Sequence, residues 1–177
     1  MWALVTDNTI TKIINNPKGL VIDNIRYSRN IFSFRWSEAE RNAIGVYTIV
    51  HDNSNQKDGS LYTNTDVSYT FADGEVTASY GIATPKELSG LKTEKKRIIK
   101  NQASELLTSN DWQVIKATEV ESYSVPGVIT TYRADIRTAS NDMETLIDNC
   151  STVDELAALY VYTDGSRPLG EFPTLEI

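Results

Sequence analysis

LLTSNDWQVIKATEVESYSVPGVITTYRADIR, residues 106–137, is the stretch whose reading decides the fold. Leu106 and Leu107 close an amphipathic run. Asp111-Trp112 lies in the polar interval that follows, and Val125-Pro126-Gly127 opens a second run, since proline is tolerated in the first turn of a helix. At about 3.6 residues per turn, Tyr132, Arg133 and Arg137 fall close together on that second helix. Reading on past Arg137, Val125, Ile129, Tyr132, Ile136, Ala139, Met143, Leu146 and Cys150 alternate spacings of four and three. That is close to the heptad period that keeps one stripe facing a partner. The stripe can pack on the preceding helix, on another copy of the chain, or on both. Reading back, Leu91, Ile98, Ile99, Ala103, Leu106 and Leu107 lie near one face of a helix that begins near Lys86, with Lys92, Glu94, Lys95, Lys96 and Arg97 covering much of the rest. Residues 106–137 are thus the elbow of a helical hairpin.

On the C-terminal side, Ser151 or Thr152 can cap a short helix over 153–160, and Asp164-Gly165 reads as a turn. Pro168, Gly170 and Pro173 keep the tail from regular structure, leaving it frayed or laid on a partner as an extended arm. On the N-terminal side, Thr84-Pro85 marks a boundary, because proline disfavours helix in the residue before it. The residues before it are rich in strand and turn signals. Asp7-Asn8, Asp23-Asn24 and Asp73-Gly74 each sit between β-prone runs, where tight hairpin turns need the left-handed φ that Asn, Asp and Gly accept most readily. Ser37 and Glu40 have capping-box spacing, and Gly45 stands where that short helix would stop. A β-branched run over 46–50 then leads into a polar loop, 51–60. The fold class is therefore α+β. An antiparallel β module with one short helix is expected over 1–85, a helical hairpin plus short helix over 86–163, and an extended tail over 164–177.

The chain has 177 residues and a formal charge of −7, with 7 basic and 9 acidic residues up to Pro85 and 10 and 15 after it. Neither part is the basic surface that phosphates require, so no nucleic-acid partner is expected. Lys92, Lys95, Lys96, Arg97 and Lys100 form a basic cluster without interleaved aromatics, and it reads as a solvated helix face. Cys150, the one cysteine, rules out an internal disulfide framework and lies on an apolar stripe, where cysteine acts as a small hydrophobe. His51, the one histidine, stands at a strand end beside a polar loop rather than within a nucleophile–base arrangement. Asp52 to Gly59 lacks the alternating ligands and closing Glu of a calcium loop, and Gly45, Gly59, Gly74 and Gly81 do not have phosphate-loop spacing. No catalytic residue, metal or cofactor is expected. No run approaches the roughly 18 apolar residues of a membrane span, nor does the start read as an export signal, so no membrane partner is expected either.

Trp112, Tyr132, Arg133, Ile136, Arg137 and Met143 remain as interface candidates. Aromatics and arginine dominate binding hot spots, and Ile136 and Met143 lie on the stripe. For Trp112 the competing structural role is to bridge the two helices. For Arg133 and Arg137 it is to pair with Asp111, Glu119 or Glu121 and hold the elbow.

The LL-T-S-N-DW-Q-V run, a short polar interval, a proline and then YR-A-D-I-R resembles the core of the tailed-bacteriophage tail assembly chaperone family. The likeness covers roughly a third of the chain. WSEAERNAIGVY, residues 36–47, resembles a phrase that recurs in N-terminal modules of phage tail-fibre and tail assembly proteins. The resemblance implies a non-enzymatic phage tail protein acting by protein–protein contacts with tail, baseplate or tail-fibre proteins. One form is a virion structural component, a fibre-attachment adaptor or baseplate subunit, made in the host cytoplasm and ending in the virion tail. The other is a transient tail or tail-fibre assembly chaperone that stays in the cytoplasm. Self-association through the helix from Val125 to Cys150 is expected in the first form.

Overall fold

Alternation along β1 (Trp2–Thr6) sets up two apolar layers, because successive strand side chains point to opposite faces. Ala3 and Val5 join Ile49, Val76 and Ala78 in one core, with Ile10, Ile13, Tyr47, Val67, Tyr69 and Phe71 around it. Trp2 and Leu4 face the other way, onto Ile14, Leu20, Ile31 and Val46. The computed structural model describes residues 1–175, and the chain divides into two units, Met1–Thr84 and Pro85–Ile177.

In the first unit a five-stranded sheet runs in the order β2 (Thr9–Ile14), β1, β5 (Val46–Asp52), β8 (Glu75–Tyr80), β7 (Val67–Ala72). The hairpin β3 (Leu20–Ile22) and β4 (Ile25–Tyr27), a 3-10 turn over Arg29–Phe32 and helix α1 (Glu38–Ala43) supply the second layer. Short strands β6 (Tyr62–Thr63) and β9 (Thr84–Pro85) complete the set. Asp7, Asn8, Asp23, Asn24 and Asp73 all take positive φ, as the three hairpin turns require. Ser37 and Glu40 form the full capping box, and the two hydrogen bonds from Ser37 hold the exposed Glu40 carboxyl below its ordinary pKa.

The module is not wholly antiparallel. β5 and β8 pair in parallel, with Ile49 opposite Val76 and His51 opposite Ala78, because residues 53–66 carry the chain across before β7 returns antiparallel to β8. Strand β5 also continues through His51 and Asp52, which the sequence reading assigns to the loop.

In the second unit α2 (Leu88–Thr108) and α4 (Gly127–Asn149) lie antiparallel, with α3 (Asp111–Glu119) between them in sequence and α5 (Val153–Ala158) after them. Glu87 caps α2 through the backbone N–H groups of Ser89 and Gly90, and Thr152 caps α5. The basic cluster of α2 is largely a seam. Lys92 donates to the Asp148 carbonyl at 3.0 Å, Lys96 pairs with the Asp148 carboxylate at 2.7 Å, and Lys100 pairs with Glu144 at 3.2 Å.

The stripe on α4 departs from the heptad reading. Ile129, Tyr132, Ile136, Ser140, Met143 and Ile147 are its buried residues, while Leu146 is exposed and Ala139 only half-buried. A straight helix drifts about 20° per heptad against a strict seven-residue repeat, so the buried face moves on to Ser140 and Ile147.

Through residue 175 the tail packs onto its own unit rather than fraying. Leu169 is buried and its N–H donates to the Leu159 carbonyl at 3.0 Å. Arg167 lies over the rings of Tyr160 and Tyr162 and pairs with Glu171 at 2.8 Å, while Tyr162 also hydrogen-bonds Glu171. Phe172 and Leu175 pack on Ala103, Tyr132 and Ile136. The tail is thus part of the helical unit, and apolar burial holds it where its prolines and glycine forbid regular structure.

Candidate interaction surface

The elbow is built around Arg133. Near the end of α2 the Leu107 carbonyl, which accepts from the Asn110 N–H at 3.1 Å, uses its second lone pair to accept from Arg133 Nη1 at 2.6 Å. Arg133 Nη2 donates to Asp111 Oδ1 at 2.7 Å. The planar guanidinium thus bridges α2, α3 and α4 from a side chain that is only 11% exposed, whereas Asp111 is half in solvent. Asp111 opens α3, where a carboxylate also suits the helix dipole.

Asp111 turned toward Arg133 directs its neighbour elsewhere, since consecutive helical residues are about 100° apart around the axis. Trp112 is 57% exposed and does not bridge the helices, which corrects the structural expectation. The elbow is a helix of its own rather than an open linker, and none of its residues is buried. Ile115, one turn from Trp112, is 55% exposed, and Val114 and Val120 are exposed as well. Tyr123 stays nearby by donating to Gln113 and lying under the Lys116 ammonium.

The other sequence-derived candidates divide sharply. Tyr132, Ile136 and Met143 are enclosed by their own unit, so an interface with a second copy cannot use those side chains in the folded monomer. Arg137 is exposed, donates to the Arg133 carbonyl at 3.1 Å, and makes no ion pair with Asp111, Glu119, Glu121 or any other described residue. Sequence reading missed Ile115, although its three-residue spacing from Trp112 was the available signal. It also missed Phe34 in the first unit, 96% exposed beyond the 3-10 turn, for which no sequence pattern stands out.

Cys150 is buried, and that burial pushes its thiol pKa up, so the inert reading of this cysteine has a physical cause. His51 is exposed on β5. Among the described residues no group of three or more His, Cys, Asp or Glu is placed to hold a metal ion, and no helix is long and apolar enough to cross a membrane.

Arg133→Met keeps the aliphatic stem but removes both hydrogen bonds. The expected cost is about 1–2 kcal/mol, because Asp111 is half-exposed and the Leu107 carbonyl lies at a helix end. Hydrogen exchange checks it: amides of α3 should lose protection while those of α4 keep theirs.

No protein-family model, curated protein or solved structure matches the chain.

Proposed function

We propose that the chain is a non-enzymatic bacteriophage tail protein that works by binding tail, baseplate or tail-fibre proteins, as a structural component of the virion. The observation that carries the contact-making part of this reading is α3. It is held at its first residue by Arg133, yet it leaves Trp112, Ile115, Val114 and Val120 in solvent. An aromatic anchor on a fixed helix is pre-organised, so less ordering opposes association. The phage assignment rests on the two sequence resemblances. The three residues that close the elbow, Leu107, Asp111 and Arg133, all fall within the LL…DW…YR stretch that carries the first of them. The first unit, with its own cores and an exposed Phe34, supplies a second docking element, as an adaptor requires. Self-association through α4 would use its outer residues, Val128 and Leu146, rather than the buried stripe.

The same stretch favours a second reading, a transient tail or tail-fibre assembly chaperone whose exposed α3 covers an apolar segment and then releases it. Mass spectrometry of gradient-banded virions decides between the two. A virion component is present in fixed stoichiometry and a chaperone only in the infected-cell lysate. In either case Trp112→Ala should leave thermal stability within about 0.5 kcal/mol, as substitutions outside the core do. It should also cut recovery of tail proteins with the tagged chain at least several-fold. Unchanged recovery from Trp112→Ala/Ile115→Ser would remove α3 as the contact surface.

A further inference from the structure

We infer that the cleft between α2 and α4 binds a single carboxylate group carried on a short apolar stem. The cleft is about 460 Å³ and lies beside the Arg133 elbow, with Ala103 and Leu107 supplying apolar wall. That size is within the range of small-ligand sites.

Its charges nearly cancel. Lys100 is taken up by Glu144 and Arg133 by Asp111, which leaves the positive charge of Arg137. One Arg137 guanidinium nitrogen donates to the Arg133 carbonyl, and the rest of the fork has no partner among the described residues. A planar fork of this kind matches a carboxylate in a two-point arrangement.

Donors stand on both walls. Arg137, Ser140 and Asn141 come from α4 and Ser104 from α2, while the Thr108 hydroxyl on the same wall is already spent on the Ser104 carbonyl. Ser140 is only 7% exposed, yet its hydroxyl makes no hydrogen bond with any described residue. The contrast with its neighbours is informative. Thr93, Thr108 and Thr145 all turn their hydroxyls onto the carbonyl four residues back, the usual way a helical hydroxyl is satisfied. A hydroxyl that lines the cleft and is not turned back onto its own helix is free to donate to an acceptor there. The Asn141 side-chain amide and the Ser104 hydroxyl are likewise unengaged among the described residues, and both line the cleft. A monoanion balances Arg137, whereas a dianionic phosphate would leave excess negative charge beside Asp111 in a chain already at −7.

The carboxylate has two possible sources, an acidic side chain of a polypeptide or a free small acid. The test uses the full chain labelled with ¹⁵N. It is titrated at constant ionic strength with sodium butyrate, with the peptide acetyl-Ala-Glu-Ala-amide, with its Gln counterpart, and with sodium chloride. Saturable shifts of the Arg137 Nε–H and the Ser140 and Asn141 amides with butyrate or the Glu peptide are expected, and not with chloride. Tighter binding of the Glu peptide than of butyrate or the Gln peptide assigns the site to a polypeptide side chain, and the reverse assigns it to a small acid. Arg137→Gln, an exposed position, should weaken binding about tenfold or more, the scale of a charge-assisted pair. Ser140→Ala should weaken it several-fold with the charge intact. Linear shifts, equal shifts with chloride, or undiminished binding in Arg137→Gln overturn the inference. These outcomes are independent of whether the chain is found in virions.

Discussion

Ile136→Asp is expected to unfold the second unit. Ile136 is 0% exposed and is enclosed by Ala103, Tyr132, Leu106, Leu107, Phe172 and Leu175. The substitution removes about 1.5–3 kcal/mol of apolar burial and puts a carboxyl among the apolar side chains that enclose this position. The combined cost is more than about 4 kcal/mol, a large part of the roughly 5–15 kcal/mol that holds a domain folded. The remedy available to the protein is to keep the new carboxyl neutral, so its folded-state pKa lies above the ordinary Asp value of about 3.9. A raised folded-state pKa places the greatest relative stability below the unfolded pKa, with loss as pH rises through the folded one. The variant should therefore be least stable at neutral pH and partly recover near pH 4. Amide spectra report the result unit by unit: resonances of α2 and α4 should collapse while those of β1, β5 and β8 persist. A folded Ile136→Asp monomer that had lost only self-association would show instead that the stripe is a seam between copies.

Gly45→Ala should destabilise the first unit by about 2–4 kcal/mol, combining the roughly 1–2 kcal/mol of left-handed backbone with a steric clash. Gly45 has φ +78°, and a Cβ there would stand 2.5 Å from the Val5 carbonyl oxygen. The approach is close because the Val5 N–H donates to the Gly45 carbonyl at 2.8 Å, beside the register shift between Leu4 and Val5 in the β1–β2 pairing. Relief would require moving the backbone of β1, on which Ala3 and Val5 are carried into the core. For a unit of this size the loss corresponds to a fall in Tm on the order of 10–20 °C. Gly74→Ala is the matched control. Its φ is also +78°, but the added Cβ meets nothing within 4 Å, so only the same conformational term of roughly 1–2 kcal/mol applies. Calorimetry on the two variants separates steric approach from backbone preference, and equal losses would place the whole effect in φ.

Most local structure was legible because its causes lie within a few residues. Each hairpin turn has residues that accept positive φ, the Ser37–Glu40 box closes as its spacing implies, and Thr152 caps α5. The elbow was legible in part. Arg133 does pair with Asp111, one of three partners its position allows, but the sequence alone leaves α3 as linker and Trp112 open between bridge and interface anchor. Helix α3 lacks the signals that announce a helix: Asn110 makes no side-chain cap, and no residue of α3 is buried to give it a periodic apolar face. On α4 the heptad reading selected Leu146 where the chain buries Ile147, because two adjacent apolar residues cannot be ranked until the packing direction is known.

The α+β class, the order of strands before helices, the hairpin turns and the caps of α1 and α5 were therefore determined by the sequence alone, since propensity, capping and turn geometry act over a few residues. Tertiary structure decided the rest. The parallel pairing of β5 with β8 depends on residues brought together across a loop and a hairpin. The return of the tail onto Ala103, Tyr132 and Ile136 depends on a surface that exists only once α2 and α4 are together. The same association encloses Ile136 and Met143, exposes Trp112 and brings Ser104 and Arg137 to one cleft. Periodicity placed Ile129, Tyr132, Ile136 and Met143 on the buried face of α4, but the edge of that face, where Ile147 is buried and Leu146 exposed, is set by the neighbours it packs on.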